Sequence, residues 1–109
     1  MLVLRPSKIP KAGVGVFTTE VIKKGVEAPL FAKGERYKLI KTNKPDFLTK
    51  RFCPYDKPRK GYWCPQDFHR MSIGWYINHS AKPNISATNW KTTRFIRAGE
   101  ELTTDYSKL

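Results

Sequence analysis

Residues 75–84 have the sequence WYINHSAKPN, and the predicted fold depends on this stretch more than on any other. An apolar run ends abruptly at Asn78, His79 and Ser80, and the chain then turns at Pro83 and Asn84. Three side chains that form hydrogen bonds therefore stand at the edge of a buried element, which suits a polar ligand. Taken alone, such a stretch is more often an ordinary polar turn in which the asparagine bonds its own backbone.

A second stretch, IRAGEELTTDY at residues 96–106, places a glycine turn before a short strand. Gly99 supplies the turn, and Tyr106 follows the strand close to the last residue, Leu109. We expect distant residues to hold this tyrosine in place, because little chain follows it. By itself, a tyrosine at the end of a strand is usually a packed core residue whose hydroxyl is satisfied.

A third stretch, AGVGVF at residues 12–17, has two glycines separated by one residue before an apolar strand. Gly13 and Gly15 would let the backbone approach a ligand closely. The third glycine of a dinucleotide-binding loop is absent, and no Gly-Lys-Ser/Thr follows, so neither that loop nor a P-loop is supported. Without other evidence, a plain turn or bulge explains the pattern.

Taken in order, these three stretches resemble the motifs of the SET domain, the fold of S-adenosylmethionine-dependent protein lysine methyltransferases. The first motif is similar to residues 13–17 with the turn at 24–25, the second to residues 78–84, and the third to residues 99–106. The last two motifs together are specific, whereas the first is weak alone. Residues 32–74 match none of the motifs and are interpreted as the variable insert of the family.

The resemblance implies a mainly β protein in which residues 1–109 form a single SET domain. This is the β-clip fold, with several small sheets, short helices and a pseudoknot-like crossing of the C-terminal strand. The implied activity is transfer of a methyl group from S-adenosylmethionine to a lysine side chain of a protein substrate. Tyr106 is the implied catalytic residue, and no metal ion is required. The implied cofactor contacts are Ala12, Gly13, Val14, Gly15, Asn78, His79 and Tyr106.

The sequence departs from the family pattern at three places. It has no cysteine-rich tail of the kind that closes the substrate channel in many members, so we expect the insert, a second copy of the chain or the substrate to close it. Trp75 stands where a number of members carry arginine beside the cofactor. Thr104 stands where some relatives place Phe or Tyr to regulate how many methyl groups are added, so the product state is not predicted.

The net charge of the chain is strongly positive. Its 109 residues include 21 Lys and Arg against 9 Asp and Glu, a net of +12, and residues 33–60 alone hold 10 basic and 3 acidic residues. Such a field favours a polyanion or an acidic protein as partner, although a lysine-rich surface also maintains solubility. The alternative function is therefore a catalytically inactive SET-like module that binds nucleic acid or an acidic protein through this insert.

Short apolar runs between frequent glycines and prolines predict many short strands. Hairpin-like turns are predicted at Gly25 and Gly99, where glycine adopts a positive φ without strain. Two short helices are predicted, Pro45–Lys50 with its proline in the first turn, and Gln66–Met71 running toward Trp75–Asn78. The predicted strands are Leu2–Leu4, Gly15–Thr18, Val26–Phe31, Tyr37–Ile40, Tyr62–Cys64, Ile85–Ala87, Lys91–Phe95 and Glu101–Thr104.

Other chemistry has less support in the sequence. Cys53 and Cys64 are the only cysteines, and their spacing from His69 and His79 lacks the close cysteine pair of zinc modules. We therefore predict reduced thiols and no metal site. Aromatic residues within and near the basic insert could stack nucleobases, although in so small a chain they are more often core.

No apolar run approaches the ~20 residues of a membrane helix, and the first residues do not form a signal peptide. We predict an intracellular protein that does not bind membranes: cytoplasmic, or nuclear if the organism is eukaryotic. The predicted partner is a protein with an accessible lysine, of which a histone is one candidate. A homodimer is a further option, and nucleic acid could bind the basic insert without being required.

Overall fold

The computed structural model describes residues 1–35 and 37–109. These residues form two compact units. Unit 1 consists of Met1–Ala32 and Ser72–Leu109, and unit 2 consists of Lys33–Met71. Unit 2 falls inside residues 32–74, the segment interpreted as the insert. That the whole chain is a single domain stays a prediction.

The described residues contain strands of two to five residues, one six-residue α-helix and three 3-10 turns. The strands are β1 (Leu2–Pro6), β2 (Val14–Thr18), β3 (Tyr37–Ile40), β4 (Tyr55–Asp56), β5 (Gly61–Pro65), β6 (Asn78–His79) and β7 (Glu101–Thr104). The helix α1 is Phe47–Phe52, and 3-10 turns lie at Phe68–Arg70, Ile73–Tyr76 and Tyr106–Lys108. None of the helices in this part of the chain is long and apolar enough to cross a bilayer.

Unit 1 is built on a four-stranded sheet in the order β1-β2-β7-β6. β1 pairs with β2 and β2 pairs with β7 in antiparallel fashion, whereas β6 runs parallel to β7. Full burial of a valine, leucine or isoleucine side chain stabilises the fold by about 1.5–3 kcal/mol, and unit 1 gathers such residues from several separate segments. Its buried core consists of Val16, Ala28, Leu30, Ile77, Ile85, Ile96 and Leu102.

The segment of residues 78–85 bonds strand β7 twice, once through its first residues and once through its last residue. At one end β6 pairs with Thr103 and Thr104, and the Ser80 N–H donates to the Thr104 carbonyl at 3.0 Å. At the other end the Ile85 N–H donates to the Thr103 carbonyl at 2.9 Å. Successive carbonyls of a strand point in opposite directions, so these two bonds lie on opposite edges of β7. This is the C-terminal crossing that the resemblance implies.

The Asn84 side chain completes the crossing. It is only 2% exposed, its Oδ1 accepts a hydrogen bond from the Thr103 N–H at 2.8 Å, and its Nδ2 donates to the Glu101 carbonyl at 2.9 Å. A single carboxamide thus replaces the missing ladder partner for two backbone groups of β7.

Unit 2 consists of a three-stranded antiparallel sheet, β3-β5-β4, and helix α1. The Asp46 carboxylate accepts a hydrogen bond from the Thr49 N–H at 2.8 Å and thereby caps the helix. The placement of Pro45 in the first helical turn is wrong, because Asp46 takes the cap position and the helix begins at Phe47. The predicted strands at β3 and β5 are present.

Three of the predicted strands are wrong. Only isolated bridges form in Val26–Phe31, Ile85–Ala87 and Lys91–Phe95. Side-chain hydrogen bonds replace some of the backbone hydrogen bonds that a regular ladder would have. The Thr92 hydroxyl donates to the Lys23 carbonyl at 2.7 Å and accepts from the N–H of the first of these segments at 3.1 Å. The short strands β4 and β6 were not among the predicted strands.

The second predicted helix, Gln66–Met71, is also wrong, since only a 3-10 turn forms within it. A further 3-10 turn follows at Ile73–Tyr76, and Asn78 belongs to β6 rather than to a helix. Gly25 and Gly99 do have positive φ, +81° and +88°. The turns are nevertheless not hairpins, because the residues on either side of each turn pair with other segments.

The variant Asn84→Ala should lower the free energy of unfolding by about 2–4 kcal/mol, because it leaves two buried backbone groups of β7 without partners. Urea unfolding followed by circular dichroism measures this change. Asn89→Ala is the matched control: Asn89 is exposed and accepts a single hydrogen bond from Lys91, so its removal should cost less than about 1 kcal/mol. Equal losses in the two variants would contradict the role given to Asn84.

Candidate functional site

Strand β7 begins with a carboxylate that lies against the backbone of β2. Gly15 is buried, and a Cβ placed on it would collide with the carboxylate of Glu101. The same carboxylate accepts hydrogen bonds from the Ser7 hydroxyl at 2.7 Å and from the Lys8 N–H at 3.0 Å. Close approach of Glu101, and not an unusual φ, is therefore the structural reason for glycine at position 15.

The Asn78 side chain joins two of the sequence motifs. Its Nδ2 donates to the Val14 carbonyl at 2.9 Å and to Glu101 Oε2 at 3.0 Å. One amide group of β6 thus binds the glycine stretch on one side and the start of β7 on the other. The stretch that begins at Asn78 therefore connects the glycine stretch at residues 13–17 with the stretch at residues 99–106.

The pKa of Glu101 reflects these contacts. Burial alone would raise the pKa of this carboxyl, but hydrogen bonds from Asn78, Ser7 and the Lys8 N–H outweigh burial and lower it below its ordinary value of 4.5. The ionised form is therefore the one that the surrounding donors stabilise. Glu101 acts as a fixed anion that organises the loop before β2.

Gly13 is a glycine for a different reason from Gly15. Its φ is +74°, and a Cβ placed on it would meet nothing within 4 Å. The Ser7 N–H donates to its carbonyl at 2.8 Å, and the Ala12 N–H donates to the Ile9 carbonyl at 3.2 Å. The chain before β2 therefore makes a tight turn in which Gly13 faces open space. The Glu101 carboxylate holds the start of this turn through Ser7 and Lys8.

Tyr106 closes the other side of the site. Its hydroxyl donates a hydrogen bond to the Ile77 carbonyl, and its N–H donates to His79 Nδ1 at 3.0 Å. The rings of His79 and Tyr106 lie with their centroids 5.3 Å apart. Although 45% of the tyrosine remains exposed, the hydroxyl end is directed toward the backbone of residues 77–79.

The pKa values of Tyr106 and of its neighbour Asp105 are both shifted by their surroundings. Burial raises the pKa of its hydroxyl, so the phenol stays neutral at physiological pH. Asp105 accepts hydrogen bonds from the Ser107 hydroxyl at 2.6 Å and N–H at 3.0 Å, and these bonds, in that order, lower its pKa. Its carboxylate also lies 3.8 Å from His79 Nδ1.

The structure brings most of the candidate residues together. Val14, Gly15 and Asn78 meet around Glu101, while His79 and Tyr106 meet beside the Ile77 carbonyl. The two groups are adjacent because Asn78 and His79 are successive residues of β6. Ala12 and Gly13 belong to the turn that leads into β2, and their backbone groups bond Ile9 and Ser7 of the same stretch. The roles assigned to all seven residues remain predictions.

The two family departures that lie in unit 1 have distinct surroundings. Trp75 packs edge-to-face against Phe31, with ring centroids 6.2 Å apart. Thr104 is fully buried, and its hydroxyl donates to the Ile85 carbonyl at 2.9 Å. The Thr104 side chain is therefore part of the crossing, where its hydroxyl holds the segment that follows Asn84.

Sequence reasoning gave no role to Glu101, Asn84 or Ser7. All three act through pairings with residues far away in the sequence, which local patterns do not reveal. One signal was available: the second of two successive carboxylates, Glu101 at the start of β7, has no local partner, and a glycine within β2 leaves room for a neighbouring side chain.

Comparison with known proteins agrees with this geometry. The family model of the SET domain matches residues 13–107. The chain is similar in structure to the SET domain of the RIZ1 tumor suppressor (PRDM2), with 25% sequence identity and a TM-score of 0.59 over 97% of this chain and 69% of that one. A search of curated proteins gives no match.

The chain belongs to the SET domain family. The mainly β fold of small sheets and short helices is therefore confirmed as a SET-domain fold. SET domains are generally S-adenosylmethionine-dependent lysine methyltransferases and typically bind that cofactor. The family match includes all three stretches from which the resemblance was drawn, apart from Ala12.

The groups around this SET domain's crossing suit such a cofactor. Carbonyl and hydroxyl oxygens meet at Ile77 and Tyr106, where partial negative charge would favour a sulfonium cation. The Asn78 Oδ1 is left as an acceptor, because the hydrogen bonds of its amide to Val14 and Glu101 use only Nδ2. The open turn at Gly13 leaves backbone accessible beside these groups.

Among residues 1–35 and 37–109, no three His, Cys, Asp or Glu side chains are grouped so that they could hold a metal ion. A surface hollow of unit 1 that is lined by the ends of β1 and β2 contains none of the seven candidate residues.

Glu101→Gln should destabilise the SET domain at neutral pH, and the effect should shrink in acid. Because the folded-state pKa of Glu101 lies below its ordinary value, its stabilising contribution is present above about pH 4.5 and is lost as pH falls through the folded-state pKa. Urea midpoints of the wild type and the variant at pH 7, 5, 4 and 3 should therefore converge.

Glu20→Gln provides the control. The pKa of Glu20 is also lowered, chiefly by a hydrogen bond from the terminal amine, but that pair is fully exposed and screened by solvent. We expect little change at any pH in this variant. A gap between wild type and Glu101→Gln that stays constant down to pH 3 would contradict the argument.

Proposed function

We propose that this SET domain transfers a methyl group from S-adenosylmethionine to the amine of a lysine side chain in a protein substrate. The observation that carries the proposal is the meeting of the Tyr106 hydroxyl with the Ile77 carbonyl at the crossing of β6 and β7. The same strand β6 binds the glycine stretch through Asn78. Three motifs that are distant in sequence thus surround one small region.

The chemistry demands a neutral amine. A lysine ammonium has a pKa of about 10.4 and no lone pair, so it must lose a proton before it can attack a methyl group in line. Removal from water and the proximity of another cation both lower the pKa of an amine. Bound S-adenosylmethionine would supply an electrophilic methyl group on a sulfonium centre.

Tyr106 is suited to orient that amine rather than to remove its proton. Burial raises the pKa of the phenol, so a phenolate is disfavoured and the hydroxyl remains a neutral hydrogen-bonding group. Its own proton is directed at the Ile77 carbonyl, which leaves the lone pairs of Oη to accept a hydrogen bond from the substrate amine. Precise orientation of two reactants can supply much of a rate enhancement.

The other residues position the site. His79 holds the backbone of Tyr106 through Nδ1. Asn78 and Glu101 fix the turn before β2, where Ala12, Gly13, Val14 and Gly15 are the proposed cofactor contacts together with Asn78, His79 and Tyr106.

The proposed partner is a protein with an accessible lysine in an intracellular compartment. The net charge of +12 repels strongly basic segments beyond the reacting lysine, so a histone tail is one candidate substrate and not a preferred one. The second candidate function, an inactive basic module, is favoured by the concentration of positive charge in unit 2.

Tyr106→Phe should reduce methyl transfer at least about 100-fold while leaving cofactor binding nearly unchanged, because it removes the hydroxyl but keeps the ring. Titration calorimetry with S-adenosylmethionine measures binding, and transfer of labelled methyl groups to lysine-rich proteins measures activity. Tyr76→Phe, at an exposed tyrosine outside the candidate site, is the matched control and should retain activity.

The outcomes separate the candidate functions. Cofactor binding with transfer that depends on Tyr106 supports the proposal. Absence of cofactor binding in the folded protein would end it and favour the inactive module. Label that persists after every lysine of the substrate has been replaced would show that the acceptor is a different side chain.

A further inference from the structure

The acidic residues of unit 2 are largely used within the unit. The carboxylates of Asp46 and Asp67 accept hydrogen bonds from backbone N–H groups at 2.8 Å and begin a helix and a 3-10 turn. Asp56 accepts from the Trp63 indole and the Arg59 guanidinium, each at 2.9 Å. These carboxylates stabilise local turns and leave most of the surrounding cations without counterions.

The cations of unit 2 are correspondingly exposed. Residues 33–71 contain 11 Lys and Arg against 4 Asp and Glu, a net of +7 over 39 residues. In the described part of this segment, the ion pairs within 4 Å involve only Arg59 and Arg70. The exposed cations that form no ion pair are Lys33, Lys38, Lys41, Lys44, Lys50, Arg51, Lys57 and Lys60.

Helix α1 presents apolar rings among these charges. Thr49 is its only buried residue, whereas Phe47 is 74% exposed and Phe52 is 56% exposed. Phe47, Lys50 and Arg51 are spaced i, i+3 and i+4, so they share one face of the helix, and together they line a shallow hollow. Phe47 is therefore an exposed aromatic ring that is flanked by two cations, Lys50 and Arg51, which form no ion pair with the described residues.

The small sheet of unit 2 repeats this pairing of rings with charges. Tyr37 on β3 is 63% exposed and packs edge-to-face against Trp63, and Tyr55 on β4 is 52% exposed and packs in the same way against Tyr62. Each exposed ring is thus held in position by a second ring, which lowers the entropy that a ligand would have to remove.

We propose that unit 2 binds single-stranded nucleic acid, with a base stacked on Phe47 and with phosphates bound by Lys50, Arg51 and the other unpaired cations. Single strands expose both the flat face of a base and a regular row of phosphates. An acidic protein segment would match the charges but offers no comparable flat partner for the exposed ring of Phe47 between them. This inference is independent of methyl transfer.

Fluorescence anisotropy with labelled dT20 and rU20 tests the proposal on the full chain. We expect dissociation constants in the micromolar range at 50 mM salt, and a logarithmic plot of affinity against salt concentration with a negative slope of about 0.7 for each phosphate that is bound. Stronger binding of one of the two strands would identify DNA or RNA as the preferred source. The same anisotropy measurement with duplex DNA and with a labelled poly-glutamate peptide provides the comparisons.

Two variants separate stacking from charge. Phe47→Leu keeps an apolar side chain but removes the ring, and it should weaken binding about 5- to 100-fold without changing the salt slope. Lys50→Gln combined with Arg51→Gln should reduce the slope by about 1.4, which corresponds to two phosphate contacts. The control, Lys23→Gln with Lys24→Gln, removes two exposed charges from unit 1 and should change the slope much less.

The proposal would be overturned by absence of binding to both single strands at 50 mM salt. It would equally be overturned if poly-glutamate or the duplex bound as tightly as the single strands, or if Phe47→Leu bound as tightly as the wild type. Thermal unfolding followed by circular dichroism confirms that each variant is folded, as expected for substitutions at exposed positions.

A second, independent observation concerns Cys53 and Cys64. In the β4–β5 ladder Tyr55 faces Tyr62, and the Trp63 N–H continues the ladder by donating to the Pro54 carbonyl at 2.9 Å. The next facing residues in this register are Cys53 and Cys64, and Cys53 has an extended backbone conformation.

The alternation of the ladder makes the two cysteines a non-hydrogen-bonded pair. In such pairs the Cα atoms are typically about 4.5 Å apart and the side chains lie on the same face, within the range that a disulfide spans. Both thiols are buried. Burial, followed by a hydrogen bond with the Cys64 thiol, raises the pKa of Cys53 to about 12.

We infer that Cys53 and Cys64 form an intramolecular disulfide when the protein meets a disulfide oxidant such as oxidised glutathione. One cysteine thiolate attacks the oxidant, forms a mixed disulfide and releases one glutathione thiol. The second cysteine, as its thiolate, then attacks the protein sulfur of that mixed disulfide, forms the Cys53–Cys64 bond and releases the second glutathione. The two cysteines lose two electrons and two protons, and the oxidant is reduced to two thiols.

Intact mass spectrometry after incubation with oxidised glutathione tests the inference. We expect a slow loss of two hydrogens, accelerated by low concentrations of urea, because buried thiols of high pKa react only when the unit opens. The oxidised chain should unfold at a temperature at least about 5 °C higher, and dithiothreitol should reverse the shift.

Single variants Cys53→Ser and Cys64→Ser serve as controls and should show neither change, although each should still accept one glutathione. Formation of two glutathione adducts on the wild type, or of disulfide-linked dimers in place of the internal bond, would overturn the inference. So would an internal bond that forms only in the fully unfolded chain.

Discussion

The carboxylate of Glu101 lies against the backbone of Gly15, and the arrangement of the candidate site follows from that contact. A side chain at position 15 would push β7 away from β2, and an apolar or shorter residue at 101 would leave donors from Ser7, Lys8 and Asn78 without their acceptor. A partly buried carboxylate stays ionised where several donors converge on it. Here the donors come from two separate segments, residues 7–8 and Asn78, so a single anion on β7 fixes their relative positions.

Tyr106 depends on the same contact through β6. Asn78 and His79 are neighbours on a strand of two residues, and one binds Glu101 while the other accepts a hydrogen bond from the backbone of Tyr106. The phenol therefore owes its placement to a chain of polar contacts rather than to a deep apolar pocket. This explains how a residue that is nearly half exposed can still have its hydroxyl held in one direction.

Much of this arrangement could be predicted from the sequence where it depends on local patterns. The strands β2 and β7 and the positive φ of the glycine turns all follow from residues within a few positions of one another. The contact of Glu101 with Gly15 joins residues 86 positions apart, and no local periodicity indicates it. The isolated bridge between Ile85 and Thr92 was not predicted for a different reason: these residues are close in sequence, but the Thr92 hydroxyl bonds the distant Lys23 carbonyl in place of a regular ladder.

The crossing at residues 78–85 also sets the order of events during folding. β7 pairs with a strand near the start of the chain and with residues about twenty positions before it, so most of its partners must be assembled before it can dock. Pairings between distant segments form late and slowly, since the entropy of closing long loops opposes them. A partly folded chain would therefore have its core forming while the phenol is still unplaced, and the candidate site would be complete only in the last, slowest step of refolding.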